Sequence, residues 1–158
     1  MGGWQSNWIL SKVSGTPFTI TAGNGAFNAP GNTETADVVG PITILGATPR
    51  PGCKTGDPTC SYFDSNAFAP PTGPRFGTGG RDIVRGPGFF NLDMSLFRTF
   101  KLTERFSLQC RGEAFGFTNT PRFNNPGTGW TANGTGTFGV VTSSSGERVV
   151  WVAAKLIF

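Results

Sequence analysis

In residues 89–102, FFNLDMSLFRTFKL, apolar side chains recur at every second position: Phe90, Leu92, Met94, Leu96, Phe100 and Leu102, interrupted only by Arg98. Asn91, Asp93, Ser95, Thr99 and Lys101 stand between them. A period of two sends alternate residues to opposite faces of a strand, whereas a helix needs a period of 3.6. Residues 105–117 repeat the pattern, with Phe106, Leu108, Cys110, Gly112, Ala114 and Gly116 against Ser107, Gln109, Arg111 and Glu113. The last twelve residues, ERVVWVAAKLIF, alternate again, with Val150, Val152, Ala154, Leu156 and Phe158 on one face. A further strand-like segment, residues 4–22, is broken by Gly15 and Pro17, where a bulge or kink is expected because proline cannot donate to a ladder. The pattern predicts four long antiparallel strands near 4–22, 88–102, 106–118 and 147–158, with neighbours in sequence adjacent in the sheet.

The faces also fix the central register. Same-face residues must oppose one another across an antiparallel pair, and a one-residue slip would invert every side chain. Opposing numbers must therefore have an even sum, which excludes a two-residue turn at Thr103 and Glu104. The simplest connection is Thr103, Glu104 and Arg105, of the type that ends in a left-handed residue, with a five-residue loop as fallback because arginine does not favour positive φ. Leu102 then faces Phe106, Phe100 faces Leu108, Met94 faces Ala114, Ser95 faces Glu113 and Phe97 faces Arg111.

The strands are joined by a long loop (23–87), a short turn and a second long loop (119–146), with PITIL at 41–45 the one short strand expected inside the first. Long connections at one end of a meander and tight ones at the other, with strands of about ten alternating residues, describe a transmembrane β-barrel. A soluble sandwich alternates too. Here, however, the apolar face has no second sheet to cover it, while Asp93, Lys101, Gln109, Arg111 and Glu113 would coat water. The fold class expected is all-β, an antiparallel meander of about four long strands with two long loops, the last part of a transmembrane β-barrel.

Composition agrees: 24 glycines, 12 prolines and 13% aromatic residues, with only 14% charged, favour strands and turns. The net charge of +4 comes from scattered lysines and arginines that form no stripe, so no nucleic-acid partner is expected. The chain contains no histidine, which removes the commonest general base and most zinc sites. Asp93 and Glu113 fall on adjacent strands among Arg and Ser, a lumen charge network rather than an acid–base pair. GTGTFG at 134–139 matches a nucleotide fingerprint by letter but lacks the preceding strand and following helix. No enzymatic activity, cofactor or bound metal is expected. Residues 1–10 lack the basic and apolar regions of a signal peptide, and no stretch approaches the roughly 18 apolar residues of a membrane helix.

RGPGFFNLDMSLFRTFKLTERFSLQCRGEAFGFTNTPRFNNP (85–126), followed by FGVVTSSSGERVVWVAAKLIF, resembles the C-terminal end of TonB-dependent outer-membrane receptors, in the subgroup with an N-terminal carboxypeptidase-regulatory-like domain. GGWQSNWILSKVSGTPFTITAG and YFDSNAFAPP resemble segments of the same subgroup. Two departures stand out: Gly116 replaces the Asn of an EAFN-like motif, and Cys110 replaces an aromatic.

The resemblance implies a plugged barrel of about twenty-two strands, of which this chain looks like the final four. Met1 would then be an internal methionine or an artefact of a truncated reading frame. It implies that Val150, Val152, Ala154, Leu156 and Phe158 are the signal read by the barrel-assembly machinery, and that the partners are outer-membrane lipid and the remaining barrel and plug. The implied work is energised uptake of a scarce metal chelate, glycan or peptide at the bacterial outer membrane. First ligand contact falls to the loops, with Tyr62, Phe63, Phe68, Arg75, Phe76, Arg81, Phe123 and Trp130 as candidates. Cys53 and Cys60 enclose six residues in a segment placed outside the membrane, where an oxidising compartment allows a disulfide; Cys110 is expected to face lipid. The rival expectation is a structural subunit of a fibre or cell-surface assembly, a homo-oligomer built through open strand edges.

Overall fold

The computed structural model describes residues 3–22, 33–46 and 52–158. Its strands are β1 (Trp4–Val13), β2 (Pro17–Phe18), β3 (Asp37–Val38), β4 (Phe68–Ala69), β5 (Val84–Arg85), β6 (Phe89–Lys101), β7 (Ser107–Phe115), β8 (Arg122–Phe123), β9 (Ser144–Ser145) and β10 (Val149–Ile157), with a 3-10 turn at Ser65–Ala67. The chain divides into two compact units: 1–13, 89–122 and 145–158 form one, and 14–88 with 123–144 form the other.

The first unit is a four-stranded antiparallel sheet in the order β1-β6-β7-β10. Its central register pairs Phe100 with Leu108, Met94 with Ala114, Ser95 with Glu113 and Phe97 with Arg111, so every pair has the even sum that the faces demand. Trp8 opposes Met94 and Leu10 opposes Leu92 across the β1–β6 seam, and Val150 opposes Ala114 and Leu156 opposes Leu108 across the β7–β10 seam. All even-numbered residues of the four strands therefore share one face.

The hairpin loop differs from the expected type. Leu102 and Thr103 both donate backbone N–H to the Phe106 carbonyl, at 2.9 and 3.1 Å, so the connection is Thr103–Glu104–Arg105. Arg105 is nevertheless not among the positive-φ residues. The Thr103 hydroxyl accepts from the Arg105 and Phe106 amides, at 3.4 and 3.1 Å, and a threonine side chain thus does what a left-handed residue would have done.

The first strand is also shorter than the 4–22 pattern predicts. Its pairing ends at Val13, and Pro17–Phe18 joins Val84–Arg85 in a separate two-stranded ribbon. The break falls at Gly15, where a Cβ would lie 1.6 Å from the Gly86 carbonyl oxygen, so the two backbones meet at a distance only glycine permits. PITIL forms no strand; Ile44 makes only an isolated bridge to Phe63.

Gly116, the departure from the EAFN-like motif, has φ +62°. Asparagine is the next most tolerant residue in that left-handed well, so glycine serves the same backbone need. Its N–H donates to the Asp93 carboxylate at 2.8 Å, and the turn closes with Asn119 N–H on the Gly116 carbonyl at 2.7 Å.

The second unit shows that the two long loops expected between the strands fold together around a core of their own. Phe18, Ile20, Ala36, Phe63, Ala67, Phe68, Val84 and Phe138 form a buried core, with Val38, Tyr62, Ile83 and Trp130 packed against it. Phe63, fully buried, stands edge-on to Phe68 and Phe138 with ring centroids 5.5 and 5.2 Å away. Such pairs add to the area they remove from water. Cys53 and Cys60 form a disulfide, and Trp130 donates its indole N–H to the Phe68 carbonyl at 3.0 Å. Phe63→Ala should destabilise this unit by about 3–5 kcal/mol, the usual cost of emptying an aromatic core site. Chemical denaturation followed by the indole fluorescence of Trp130 would measure it, with Phe76→Ala as the exposed control.

Candidate functional site

Two surfaces carry chemistry, one on each unit. On the sheet, the even face presents Trp8, Leu10, Phe90, Leu96, Phe100, Val150, Val152 and Leu156, all exposed, with Leu92, Met94 and Leu108 half-buried between them. Val152 is 86% exposed and Phe158 93%. Four of the five residues expected to form an assembly signal lie together on the even face of β10, where Val150, Val152, Ala154 and Leu156 oppose Ala114, Gly112, Cys110 and Leu108, and Phe158 follows the strand. Cys110 is a free, half-buried thiol on that same face. The only charges among even positions of the four strands are Lys12 and Arg98.

The odd face is mixed: Ile9, Phe115, Val149, Trp151 and Ile157 are exposed on it, and the charged residues of the sheet other than Lys12 and Arg98 fall among them. Arg111 pairs with Glu113 on the same strand. Among the described residues Asp93 has no ion-pair partner; its carboxylate accepts from the Asn91 amide at 2.9 Å as well as from Gly116. The expected lumen network is therefore one local ion pair and one hydrogen-bonded carboxylate. A shallow hollow of about 90 Å³ between them is lined by Asn7, Ile9, Asp93, Ser95, Glu113 and Phe115.

The second unit places the eight expected ligand contacts unevenly. Phe63 and Phe68 are core residues and are not available to a ligand, because their rings supply the apolar packing that folds the unit. Tyr62 and Trp130 are half-buried against that core. The Tyr62 hydroxyl donates to the Arg85 carbonyl at 3.1 Å, and burial pushes its pKa up. Phe76 and Arg81 are exposed, and Phe123 is half-buried. Arg75 forms a two-pronged pair with Asp37, at 2.8 and 2.6 Å, and donates to the Phe76 carbonyl at 3.0 Å. Of the eight, Phe63, Phe68, Tyr62 and Trp130 meet in or against the core, and Arg75 and Phe76 stand together at the surface beside Asp37.

A polar hollow of about 280 Å³ escaped the sequence reading; Leu45, Gly56, Pro58, Ser61, Asp64, Ser65 and Asn66 line it. Asn133, distant in sequence, accepts from the Ser65 hydroxyl at 3.1 Å and donates to the Asn66 side chain at 2.9 Å. The one local signal was Asp64-Ser65-Asn66, in which Asp64 caps the 3-10 turn by accepting the Asn66 N–H at 3.0 Å. Among the described residues no group of three His, Cys, Asp or Glu could hold a metal ion.

The Arg75 guanidinium, then the Thr78 amide at 2.8 Å, hold the Asp37 carboxyl below its ordinary pKa of 3.8. A depressed carboxylate stabilises the fold above its unfolded pKa and loses that contribution as pH falls through the lower, folded value. Any weakening from this pair should therefore appear below about pH 4. Carboxyl-carbon NMR should place Asp37 below 3.8, and Arg75→Ala should move it upward while the Thr78 contact keeps part of the shift.

Residues 1–150 match the family described as outer membrane beta barrel domain. No curated protein and no solved structure matches the chain.

Proposed function

The chain belongs to the outer membrane beta barrel domain family, and from that premise we propose that it supplies barrel wall and outer loops to an energised uptake receptor of the TonB-dependent kind. The observation that carries this reading is the sheet. Its apolar face has no protein partner among the described residues, and its opposite face holds Asp93, Arg111, Glu113 and Lys155. A wall between lipid and an aqueous lumen requires that division.

The register adds the ends. β1 and β6 join at the Val13–Phe89 pair and β7 and β10 at the Phe115–Val149 pair, so both long connections leave the end of the sheet opposite the Thr103–Arg105 turn. In outer-membrane barrels the long loops face outward and the short turns face the periplasm. A loop segment with its own core, a disulfide and one polar hollow suits first contact with a ligand. The wall has no catalytic task, and we assign no enzymatic activity to it.

A second reading rests on the sheet edges. β1 and β10 each have a strand on one side only, so either could add a strand from another copy and build a surface assembly. In the receptor those edges continue into further barrel strands.

Two measurements test the proposal. In the protein that carries this sequence, Met94→Arg should cost about 2–4 kcal/mol of folding free energy in phospholipid vesicles, and Ser95→Arg, at the same depth on the other face, much less. Equal costs would refute the lipid–lumen division. For transport, deleting the gene should abolish accumulation of at least one member of a panel of radiolabelled metal chelates, oligosaccharides and peptides, and a protonophore should do the same in the parent strain. Accumulation that ignores the protonophore would identify a passive pore.

A further inference from the structure

Arg98 breaks the apolar alternation of β6, and its position makes that break informative. It lies on the even face opposite Trp4 on β1 and Cys110 on β7. Toward the hairpin the same face continues with Phe100 and Leu108, then with Leu102 and Phe106. Arg98 thus stands four residues, about 13 Å along the strand, inside the Leu102 edge of the apolar band. A cation so placed in hydrocarbon carries a cost of several kcal/mol unless its side chain reaches the interface or an anion reaches it.

Among the described residues, this face of the four strands holds no anion. No even position of the four strands is Asp or Glu. β6 is an inner strand, so its flanking positions are already occupied by β1 and β7. Neither ion pair among the described residues involves Arg98. What the chain provides is a stacking site. The guanidinium carbon lies 4.7 Å from the Phe100 ring centroid and 5.5 Å from that of Trp4. Phe100 is the next residue on this face toward the short turn, so the side chain leans to that rim. Rings hold a guanidinium by its planar faces and leave its edge N–H donors free for a forked contact with phosphate oxygens.

We propose that Arg98, held by Phe100 and Trp4, binds the phosphate of a phospholipid drawn slightly below the headgroup plane at the short-turn end of the sheet. This rests on the reading of the even face as the lipid-facing wall. The short-turn end selects the periplasmic leaflet, and a single cation with no neighbouring carboxylate selects an anionic headgroup such as phosphatidylglycerol.

The test uses the protein carrying this sequence, folded in nanodiscs of dimyristoyl phosphatidylglycerol and released for native mass spectrometry. One phosphatidylglycerol should resist dissociation in the unaltered protein, and Arg98→Gln should weaken its retention about tenfold, the scale of one lost charge-assisted contact. Arg98→Lys, which keeps the charge but not the planar fork, should fall between. Dimyristoylglycerol, which lacks the phosphate, should not be retained by any of the three. A solid-state measurement on the unaltered protein, independent of how the variants fold, should detect dipolar coupling between the Arg98 side-chain ¹⁵N and lipid ³¹P. Equal retention by Arg98→Gln, or no such coupling, overturns the proposal while leaving the barrel wall intact. Failure of the unaltered protein to enter the bilayer overturns both.

Discussion

Trp8, Leu10, Leu92, Met94, Leu96, Val152 and their neighbours lie on one side of a four-stranded sheet that no other part of the described chain covers, and the rest of the sheet's design follows from removing that face from water. Burying apolar surface yields about 25 cal/mol per Å², so a face this wide is untenable in water and stabilising in lipid. The same condition explains the alternation. Once one face is given to hydrocarbon, charge must go to the intervening positions, and Asp93, Lys101, Arg111, Glu113 and Lys155 fall there, beside apolar Ile9, Trp151 and Ile157. It also explains the register, because any odd slip between strands would exchange the two sets.

The second unit solves a different problem. Residues 14–88 and 123–144 are rich in glycine and proline, and their described residues form only two-residue strands, so backbone ladders contribute little to it. An aromatic cluster around Phe63 and the Cys53–Cys60 disulfide compensate. Small domains with limited secondary structure commonly need such cross-links, since their cores are too small to offset chain entropy alone. Polar side chains are then fixed to one another across long sequence distances, as with Asn133 on Ser65 and Asn66. A folded loop segment can present such groups with less ordering cost on binding than a flexible one.

Arg98 and Gly116 show how departures from a pattern read in the finished fold. Gly116 gives up a side chain but keeps the left-handed turn that aims its N–H at Asp93. Arg98 breaks the hydrophobic period and is accommodated by two rings, one on its own strand and one on the next. Each departure is local in sequence, and each is resolved by a neighbour that only the pairing of strands identifies.

The alternation of residues 89–102, 105–117 and 147–158 determined the four-strand meander, its order and the even-sum register, because period two is a local property and side-chain faces cannot be exchanged without cost. The short turn was legible in length but not in type, since the hydroxyl of Thr103 competes with backbone conformation in a way residue preferences do not express. The long connections were not legible. Phe63 and Phe68 read as loop aromatics fit to touch a ligand, and became core only because segments from residue 18 to residue 138 converge on them. In strand 4–22 the bulge or kink at Gly15–Pro17 was legible, but not that the pairing stops there, where Gly86 meets Gly15. Contacts between distant residues leave no periodic trace in the chain, so the core, the polar hollow and the stacking of Arg98 were decided by the tertiary structure, where packing and steric exclusion act on residues that sequence keeps apart.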